Sequence, residues 1–342
     1  MKYRDYIKID PYSATPKYIQ LTHAILSAIE SGRLHQDELL PSINEISAEL
    51  EISRDTAEKG YKNLKRLDVL GSVPGKGYYI KSAGFRQRFK ILLLFNKLSV
   101  HKKILYDAFI GALDPETQVD FYIYNNDFKL FKKILAERKD IYTHYVIIPH
   151  FFEGENNIRE LIEGIPRDQI ILLDKRLSYM EPGEGYAAVY EHFEKDIYNA
   201  LVRAISRLRN YQRIKLVFPR KSYYPKEIIG GFQRFCRKYA FEHVVIPSIK
   251  TEVLQAGEVY ITVMEDDLVH LIERIKETAL VTGKDIGVIS YNETPIKKII
   301  LNGITTISTD FKKMGRLAAE LITNNRQELV EVPFSLFLRD SL

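Results

Sequence analysis

Apolar residues in the first part of the chain recur with the period of an α-helix. Residues 16–30 carry such a stripe at Ile19, Ala24, Ile25, Ala28 and Ile29. Thr15 stands where an N-cap is expected, and Gly32 stands where the helix should end. The pattern therefore predicts one amphipathic helix over residues 16–30.

Two further helices are predicted, each opened by a serine. Ser42 and Glu45 have the spacing of a capping box, in which the serine accepts a backbone amide and the glutamate reaches back. Ser53 opens the third helix, and two short strands near residues 71–73 and 78–80 follow it. Three helices and a hairpin predict a winged helix-turn-helix, a unit that places its third helix in the major groove of DNA.

Beyond residue 90 short apolar blocks alternate with helical stretches. Continuous apolar blocks are typical of parallel strands that helices cover on both faces, so the pattern predicts an α/β fold. The eight strands make either one barrel or two open sheets. The predicted strands are 91–95, 121–124, 145–149, 170–173, 214–218, 244–247, 259–263 and 286–290, and the predicted helices are 102–113, 128–137, 196–209, 228–239 and 268–282.

Polar side chains follow these strands where each strand ends. Ligands of open α/β sheets bind beyond the carboxyl ends of the strands, so these side chains are candidates for a binding site. Amides and carboxylates near aromatic rings suit a sugar, whose hydroxyls need polar partners and whose C–H faces pack on rings. The candidates are Asn96, Lys97, His150, Asp174, Lys175, Arg220, Glu265 and Asn292.

The charge is unevenly distributed along the 342 residues. The net charge is +5, and residues 1–90 hold 15 Lys or Arg against 11 Asp or Glu, so nearly all of the excess lies there. Cys236 is the single cysteine, which excludes an intramolecular disulfide and a zinc cluster of several thiolates. No apolar run reaches the roughly 20 residues of a membrane helix. We expect a cytoplasmic protein without a membrane, metal or cofactor partner.

The first ninety residues resemble the GntR family of bacterial transcription regulators. The resemblance covers residues 10–81 and rests on the Leu-Pro-Ser-x-x-Glu-Ile order around Ser42, on residues 52–56 and on residues 75–78. It implies that Arg54 contacts the groove, where a guanidinium can bind guanine or phosphate in a bidentate way. The implied DNA-binding set is Ser42, Asn44, Ser53, Arg54, Thr56, Lys59, Gly75, Lys76 and Gly77.

Two positions of this domain depart from the family pattern. Asn44 and Glu58 stand where the family commonly has arginine. Asn44 can still donate to a phosphate. Glu58 would repel a phosphate, so it either accepts from a cytosine amino group or pairs with Lys62. The operator sequence therefore cannot be copied from relatives.

The remaining chain resembles the sensor domain of LacI-type regulators. The resemblance covers residues 90–340 and rests most specifically on residues 289–293, 304–311 and 314–318. It implies a type I periplasmic-binding-protein-like domain of two α/β lobes. It also places Asp174, Glu265 and Asn292 on sugar hydroxyls. Phe311 is implied as an aromatic wall, and Lys226, Glu227 or Arg220 as a replacement for a missing arginine.

The two resemblances together predict the domain boundaries. A head of residues 1–81 and a linker of residues 82–89 precede a sensor domain of residues 90–342. Lobe 1 is expected to contain residues 90–188 and 308–325, and lobe 2 residues 189–307 and 326–342. The crossings between the lobes are expected near Tyr190, Thr306 and Asn324.

This arrangement resembles the arabinose-responsive repressors, which implies a homodimer on double-stranded operator DNA. We expect a repressor of carbohydrate-utilisation genes that a monosaccharide such as a pentose or deoxyhexose releases. An activator and a response to a sugar phosphate or another small polar metabolite remain open. An enzyme is disfavoured because no Gly-x-x-x-x-Gly-Lys-Ser/Thr phosphate loop occurs and the histidines are scattered. An exported sugar-binding protein would have a signal peptide and no basic head.

Overall fold

The computed structural model describes residues 3–74, 77–82, 89–153, 158–177, 180 and 185–342. They form a head and two larger lobes, each built around its own sheet. The expected fold class, a winged helix-turn-helix followed by a two-lobed α/β domain, is confirmed. The sheets are open, which settles the choice between a barrel and two sheets.

The head is a three-helix unit with a small sheet. Its order is α1 (Lys17–Glu30), β1 (Leu39–Leu40), α2 (Ile43–Leu50), α3 (Arg54–Arg66), β2 (Leu70–Val73) and β3 (Gly77–Ile80). The three strands are antiparallel in the order β1-β3-β2. A common core that includes Leu21, Ile46 and Leu64 joins the three helices. The hairpin of β2 and β3 is the predicted wing.

Lobe 1 is built on a parallel sheet of six strands in the order β14-β8-β7-β6-β4-β5. Nearly every side chain of its central strands is buried, because helices cover both faces. The strands are β4 (Lys90–Phe95), β5 (Gln118–Ile123), β6 (His144–Ile147), β7 (Ile170–Asp174), β8 (Ala187–Tyr190) and β14 (Leu329–Glu331). The helices are α4 (Val100–Ile110), α5 (Phe128–Arg138), α6 (Ile158–Ile162) and α11 (Phe311–Thr323).

Lobe 2 repeats this plan with one antiparallel edge strand. Its sheet has the order β10-β9-β11-β12-β13-β15, and only β15 runs against its neighbour. The strands are β9 (Arg213–Val217), β10 (Glu242–Ile246), β11 (Glu258–Thr262), β12 (Ile286–Tyr291), β13 (Thr305–Thr309) and β15 (Phe334–Phe337). The helices are α7 (Phe193–Arg203), α8 (Ile205–Leu208), α9 (Glu227–Lys238) and α10 (Glu265–Lys276).

The lobe boundaries differ from the prediction at two of the three crossings. The first crossing follows β8, which ends at Tyr190. The second lies between β13 and α11 rather than near Thr306, because all of β13 pairs within lobe 2. The third, predicted near Asn324, was placed too early. Residues 329–331 pair with β8 of lobe 1 before the chain crosses to β15.

Gly315 allows the helix α11 to pack closely against α4. A Cβ atom on Gly315 of α11 would lie 2.4 Å from the carbonyl oxygen of Leu105 in α4. The two backbones therefore approach as closely as glycine allows. Since α4 also carries His101 and Lys102, this contact helps to set their position.

Candidate DNA-contacting surface and interlobe cleft

The first turn of α3 is exposed and capped by its own sequence. The Ser53 hydroxyl accepts the backbone N–H of Thr56 at 3.1 Å, and the two hydroxyls lie 2.8 Å apart. Ser53 and Arg54 are exposed, whereas Ala57 is completely buried. The cap therefore fixes the helix start while Arg54 points to solvent. Within the described residues Arg54 has no hydrogen-bond or ion-pair partner.

The lysines further along α3 are paired with acidic side chains one turn before them. Lys59 Nζ lies 2.7 Å from Asp55 Oδ2, and Lys62 Nζ lies 2.7 Å from Glu58 Oε1. Glu58, which departs from the family pattern, thus adopts the second of its two expected roles. Exposed pairs of this kind contribute little to stability, and Asp55 and Glu58 offset the positive charges of the two lysines.

The other predicted DNA contacts lie outside α3, at the start of α2 and in the β2–β3 hairpin. Ser42 and Glu45 form both bonds of the capping box, and Asn44 is exposed in the first turn of α2. Gly77 has a φ of 96° at the start of β3, where a side chain would be strained. Gly75 and Lys76, the predicted tip of the wing, lie outside the described residues.

The space between the lobes holds a cavity of about 20 Å³, which is room for one water. A second cavity of about 100 Å³ adjoins it and shares Tyr291 and Asn292 as lining. Both are far below the several hundred Å³ of a usual ligand site, so the lobes must move apart to admit a monosaccharide. The first is lined by His101, Lys102, His150, Asp174, Glu191, Phe193, Tyr223, Tyr224, Pro225, Tyr291, Asn292 and Phe311.

In each lobe a polar residue with a left-handed backbone conformation stands at the end of a strand and faces the cleft. Asp174 ends β7 with a φ of 73°, and Asn292 follows β12 with a φ of 65°. Short polar side chains tolerate this left-handed conformation better than other residues. Asn292 Nδ2 lies 3.4 Å from His101 Nε2 of the opposite lobe. These two strand ends therefore face each other across the cleft, as the rule for open sheets predicts.

Asp174 is the charged centre of the cleft. His150 Nε2 lies 2.8 Å from its Oδ2, and Lys102 Nζ lies 3.6 Å from the same atom. Burial by itself would raise the pKa of Asp174, but Lys102 and His150 hold it well below its usual range. Burial lowers the pKa of Lys102 to about 8, against the opposing effect of Asp174. At neutral pH the pair is therefore a carboxylate and an ammonium.

The pKa values of the other acid and of the two histidines that line the first cavity are shifted towards their neutral forms. Burial and the Asp174 charge raise the pKa of Glu191 well above its usual value, which favours its neutral form. Burial lowers the pKa of His150, and burial with the Lys102 charge lowers that of His101 further. In the wall of the first cavity the charges of Asp174 and Lys102 thus offset each other.

Two tyrosines of the cleft have a buried hydroxyl without a partner among the described residues. The Tyr223 and Tyr291 hydroxyls form no hydrogen bond within the described part of the chain, and Tyr291 is the one of the two that lines both cavities. A buried polar atom of this kind costs about 1–3 kcal/mol unless something satisfies it. Lys297 holds the adjacent turn, because its Nζ donates to the carbonyl oxygens of Tyr291 and Asn292 at 2.9 Å.

The predicted ligand-binding residues fall into two groups. His150, Asp174, Asn292 and Phe311 line the first cavity, and Lys97, Glu265 and Asn292 line the second. The four others do not line either cavity. Asn96 lies behind the wall, where it accepts from Lys102 and donates to Asn126 at 2.6 Å. Lys175 is half-buried at the end of β7, and Arg220 and Lys226 are exposed on lobe 2.

Sequence reasoning missed several residues of the cavity wall. His101 and Lys102 lie in the first turn of α4, which begins five residues after β4 ends, so a search confined to strand ends passes over them. Glu191 follows β8, a strand that the apolar pattern did not predict. Tyr223 and Tyr224 sit just after the expected Arg220. An ionisable residue in the loop or first helical turn after each strand is the signal that would have found most of them.

Comparison with known proteins bears on both parts of the chain. Residues 17–80 match the family model described as bacterial regulatory proteins, gntR family. Residues 207–342 match the model of a periplasmic binding protein-like domain. The chain joins a GntR domain to a periplasmic-binding-protein-like domain. Both predicted resemblances are thereby confirmed.

Two curated relatives match the GntR part. The HTH-type transcriptional repressor YtrA of Bacillus subtilis (strain 168) is 29% identical over 106 residues, which are 31% of this chain and 78% of the relative. The arabinose metabolism transcriptional repressor of Geobacillus stearothermophilus is 35% identical over 65 residues, which are 19% of this chain and 18% of the relative. The family matched by residues 17–80 and the names of both relatives are those of transcription regulators, not of enzymes.

Solved structures resemble the sensor domain at low sequence identity. The trehalose repressor from Escherichia coli has a TM-score of 0.61 at 14% identity and covers 72% of this chain and 99% of its own. A dimeric Lac repressor with an 11-residue C-terminal deletion has a TM-score of 0.61 at 14% identity, with coverages of 74% and 98%. These likenesses show the fold.

In the described part of this GntR-domain protein, no helix is both long and apolar enough to cross a bilayer.

Proposed function

We propose that this regulator is a repressor that leaves its operator when a neutral monosaccharide fills the interlobe cleft. The observation that carries the proposal is the unpartnered Tyr291 hydroxyl beside a polar, nearly neutral cavity wall. A sugar hydroxyl can supply the hydrogen-bond partner that the Tyr291 hydroxyl lacks. The names of the curated relatives support repression, and one of them names arabinose metabolism.

A neutral effector is favoured over a sugar phosphate because the cations near the cleft are engaged. Lys102 faces Asp174, and Lys297 donates to two carbonyl oxygens and lies 3.8 Å from Glu265. The Lys97 ammonium lies over the Tyr223 ring at 4.6 Å from its centroid. A phosphate dianion would have to displace these partners, whereas a neutral sugar would not.

The proposed switch needs only a difference in affinity between two conformations. An effector that fits better when the lobes have moved shifts the population towards that arrangement. A coupling free energy of about 1–3 kcal/mol changes operator affinity about 5- to 150-fold. We propose that the chain acts as a homodimer in the cytoplasm, with two heads on a palindromic operator, since operator symmetry commonly mirrors that of the protein.

Operator binding is expected to weaken steeply with salt. Each phosphate that a head neutralises contributes about −0.9 to the slope of log affinity against log salt concentration. Gel shifts with a duplex selected from a random pool by the intact chain, at several salt concentrations, measure this slope. Failure to select any duplex, or a slope near zero, would contradict operator binding.

The Tyr291→Phe variant is expected to separate effector binding from folding. Because the hydroxyl has no partner in the described part of the protein, its removal should leave the melting temperature unchanged or raise it. The variant should nevertheless bind the effector about 3- to 10-fold more weakly, since one hydrogen bond to the sugar is lost.

Thermal-shift screening with L-arabinose, other aldopentoses and deoxyhexoses, each beside its phosphate ester, identifies the effector. A sugar at 100 times its dissociation constant stabilises the protein by about 2.7 kcal/mol. The proposal requires a neutral sugar that stabilises wild type and stabilises Tyr291→Phe less. If only the phosphate esters stabilise the protein, the neutral class is wrong. If no sugar does, the sensor assignment is wrong.

A further inference from the structure

The head is held on lobe 1 by a short segment that precedes its first helix. The Ala14 backbone N–H donates to the Phe121 carbonyl at 2.8 Å, and the Phe121 N–H donates to the Thr15 hydroxyl at 2.7 Å. Phe121 lies in β5, the edge strand of the lobe 1 sheet. Residues 13–15 therefore cover part of an edge whose backbone groups have no strand on that side.

Side chains reinforce this contact on both sides of Phe121. The Tyr122 hydroxyl donates to Asp10 Oδ2 at 2.8 Å, and Arg138 donates to the same carboxylate. The Arg138 guanidinium also lies 4.4 Å from the centroid of the Tyr122 ring. Arg138 and Asp10 are mostly shielded from solvent, with side-chain exposures of 17% and 26%. A pair shielded in this way is screened less than a surface ion pair.

A second side-chain contact joins α1 itself to β5. His23 Nδ1 lies 3.3 Å from Asp120 Oδ1, and the Tyr142 hydroxyl donates to the other oxygen of Asp120 at 2.9 Å. Asp120 and Tyr122 are two residues apart on one strand, so they lie on the same face of the sheet. The head therefore contacts β5 both along its free edge and on one face.

The same strand leads to the interlobe cleft. Just beyond its end, the backbone N–H of Asn126 donates to the Asn96 carbonyl at 2.9 Å, and the two side-chain amides are bonded. Asn96 accepts from Lys102, which faces Asp174. A change at Asp174 would reach β5 through bonded side chains, without passing through the linker of residues 82–89.

The contact leaves room for the head to move. A cavity of about 530 Å³ lies beside it, between α1, the end of α3 and the end of α4, and Arg66 and Ile110 are among its lining residues. The head is therefore held along the β5 edge and by an ion pair of Glu30 with Lys90 at 3.0 Å, while the part of its surface that lines the cavity is not packed against lobe 1. Such an arrangement allows a tilt about the fixed edge.

We propose that residues 10–15 together with His23, Tyr122 and Arg138 form a clasp that positions the head, and with it α3, relative to lobe 1. This inference rests on the proposed function only for its consequence, the transfer of lobe movement to the operator. The clasp residues are positioning residues, because none of them lies on the exposed face of α3. With the clasp intact, the two heads of a dimer keep a fixed separation.

The test uses the full chain carrying Thr15→Val and Tyr122→Phe, two nearly isosteric changes. The first removes the acceptor for the Phe121 N–H, and the second removes the donor to Asp10. Hydrogen–deuterium exchange of peptides covering residues 118–123 should become faster in the double variant, because exchange reports local opening. Thr15→Ser, which keeps the hydroxyl, and Arg159→Gln, which breaks an exposed pair with Glu163 on lobe 1, should leave this exchange unchanged.

A spacing series then shows whether the clasp positions the head. Duplexes selected by the wild-type chain are altered so that the half-sites lie one or two base pairs closer or further apart. We expect wild type to prefer one spacing and the double variant to bind the neighbouring spacings within about threefold of one another, since a head that is not pre-oriented loses this discrimination.

The outcomes separate the clasp from the proposed function. Unchanged exchange in the double variant would overturn the clasp itself. Faster exchange with the wild-type spacing profile would show that other contacts position the head, which also overturns the proposal. A wild-type chain that selects no duplex would contradict the proposed function, while the exchange measurement would still report whether the clasp exists.

Discussion

Replacing Asp174 with asparagine is expected to lower the free energy of unfolding by about 3 kcal/mol at pH 7 and to abolish the effector response. Asparagine keeps the left-handed backbone of this position, so the change removes the charge and little else. Lys102 then remains buried without its counter-charge. Breaking a buried pair in this way typically costs about 3–5 kcal/mol, and the lower end applies because Lys102 can give up its proton.

The pH dependence of this variant has a definite sign. Burial already lowers the pKa of Lys102 to about 8, and loss of Asp174 lowers it further. The unfolded chain, with a lysine pKa of about 10.4, then binds more protons than the folded one, so stability rises as the pH rises towards that value. The deficit relative to wild type should therefore shrink as the pH rises from 7 to about 8 and level off above that, because wild-type Lys102 then loses its own proton in the folded state, and urea unfolding at a series of pH values measures this.

A second substitution supplies the control. Lys102→Met combined with Asp174→Asn removes the uncompensated charge and should recover most of the lost stability, but not the binding of the sugar. If the double variant is as unstable as Asp174→Asn alone, the charge pair is not the cause. If Asp174→Asn retains full effector affinity, Asp174 does not contact the effector.

Arg54→Ala is expected to weaken operator binding about 5- to 150-fold and to leave effector binding unchanged. One good bidentate contact of a guanidinium is worth about 1–3 kcal/mol. Arg54 is exposed in the first turn of α3 and has no partner among the described residues, so its removal should not affect folding. Gel shifts with the selected duplex and thermal shifts with the identified sugar measure the two properties separately.

The matched control for this experiment is Arg209→Ala. Arg209 is also exposed, but it ends α8 in lobe 2, far along the chain from the head. An equal loss of operator affinity in both variants would indicate a general effect of charge. Loss of both operator and sugar binding in Arg54→Ala would indicate misfolding instead.

Local sequence patterns predicted the head well, because the residues that cap the starts of its helices can be recognised from their spacing. Ser42 and Ser53 cap α2 and α3 as their spacing predicts. Thr15 was a wrong prediction for a physical reason. Its hydroxyl accepts the amide of Phe121, a residue 106 positions away, rather than an amide of α1. No local pattern reports a partner at that distance.

The sensor domain shows the same division between local and distant information. Strands buried on both faces, such as β4 and β7, are visible as apolar runs. β14 is three residues long and only partly buried, so its pairing with β8 could not be predicted, and the third lobe crossing was misplaced with it. Only some of the charged residues of the cleft could be predicted from the sequence. Asp174 ends a strand, but Lys102 reaches it from a helix, and only the tertiary fold brings the two together.

The left-handed backbone at Asp174 and Asn292 restricts how this cleft can diverge. Aspartate, asparagine and glycine are the residues that accept such a conformation readily, so few substitutions are open at these two positions. A lineage that acquires a new sugar preference must therefore change the neighbours instead, on α4 and around Tyr223. Asp174 and Asn292, one on each lobe, would be retained while the residues that line the cleft between them change.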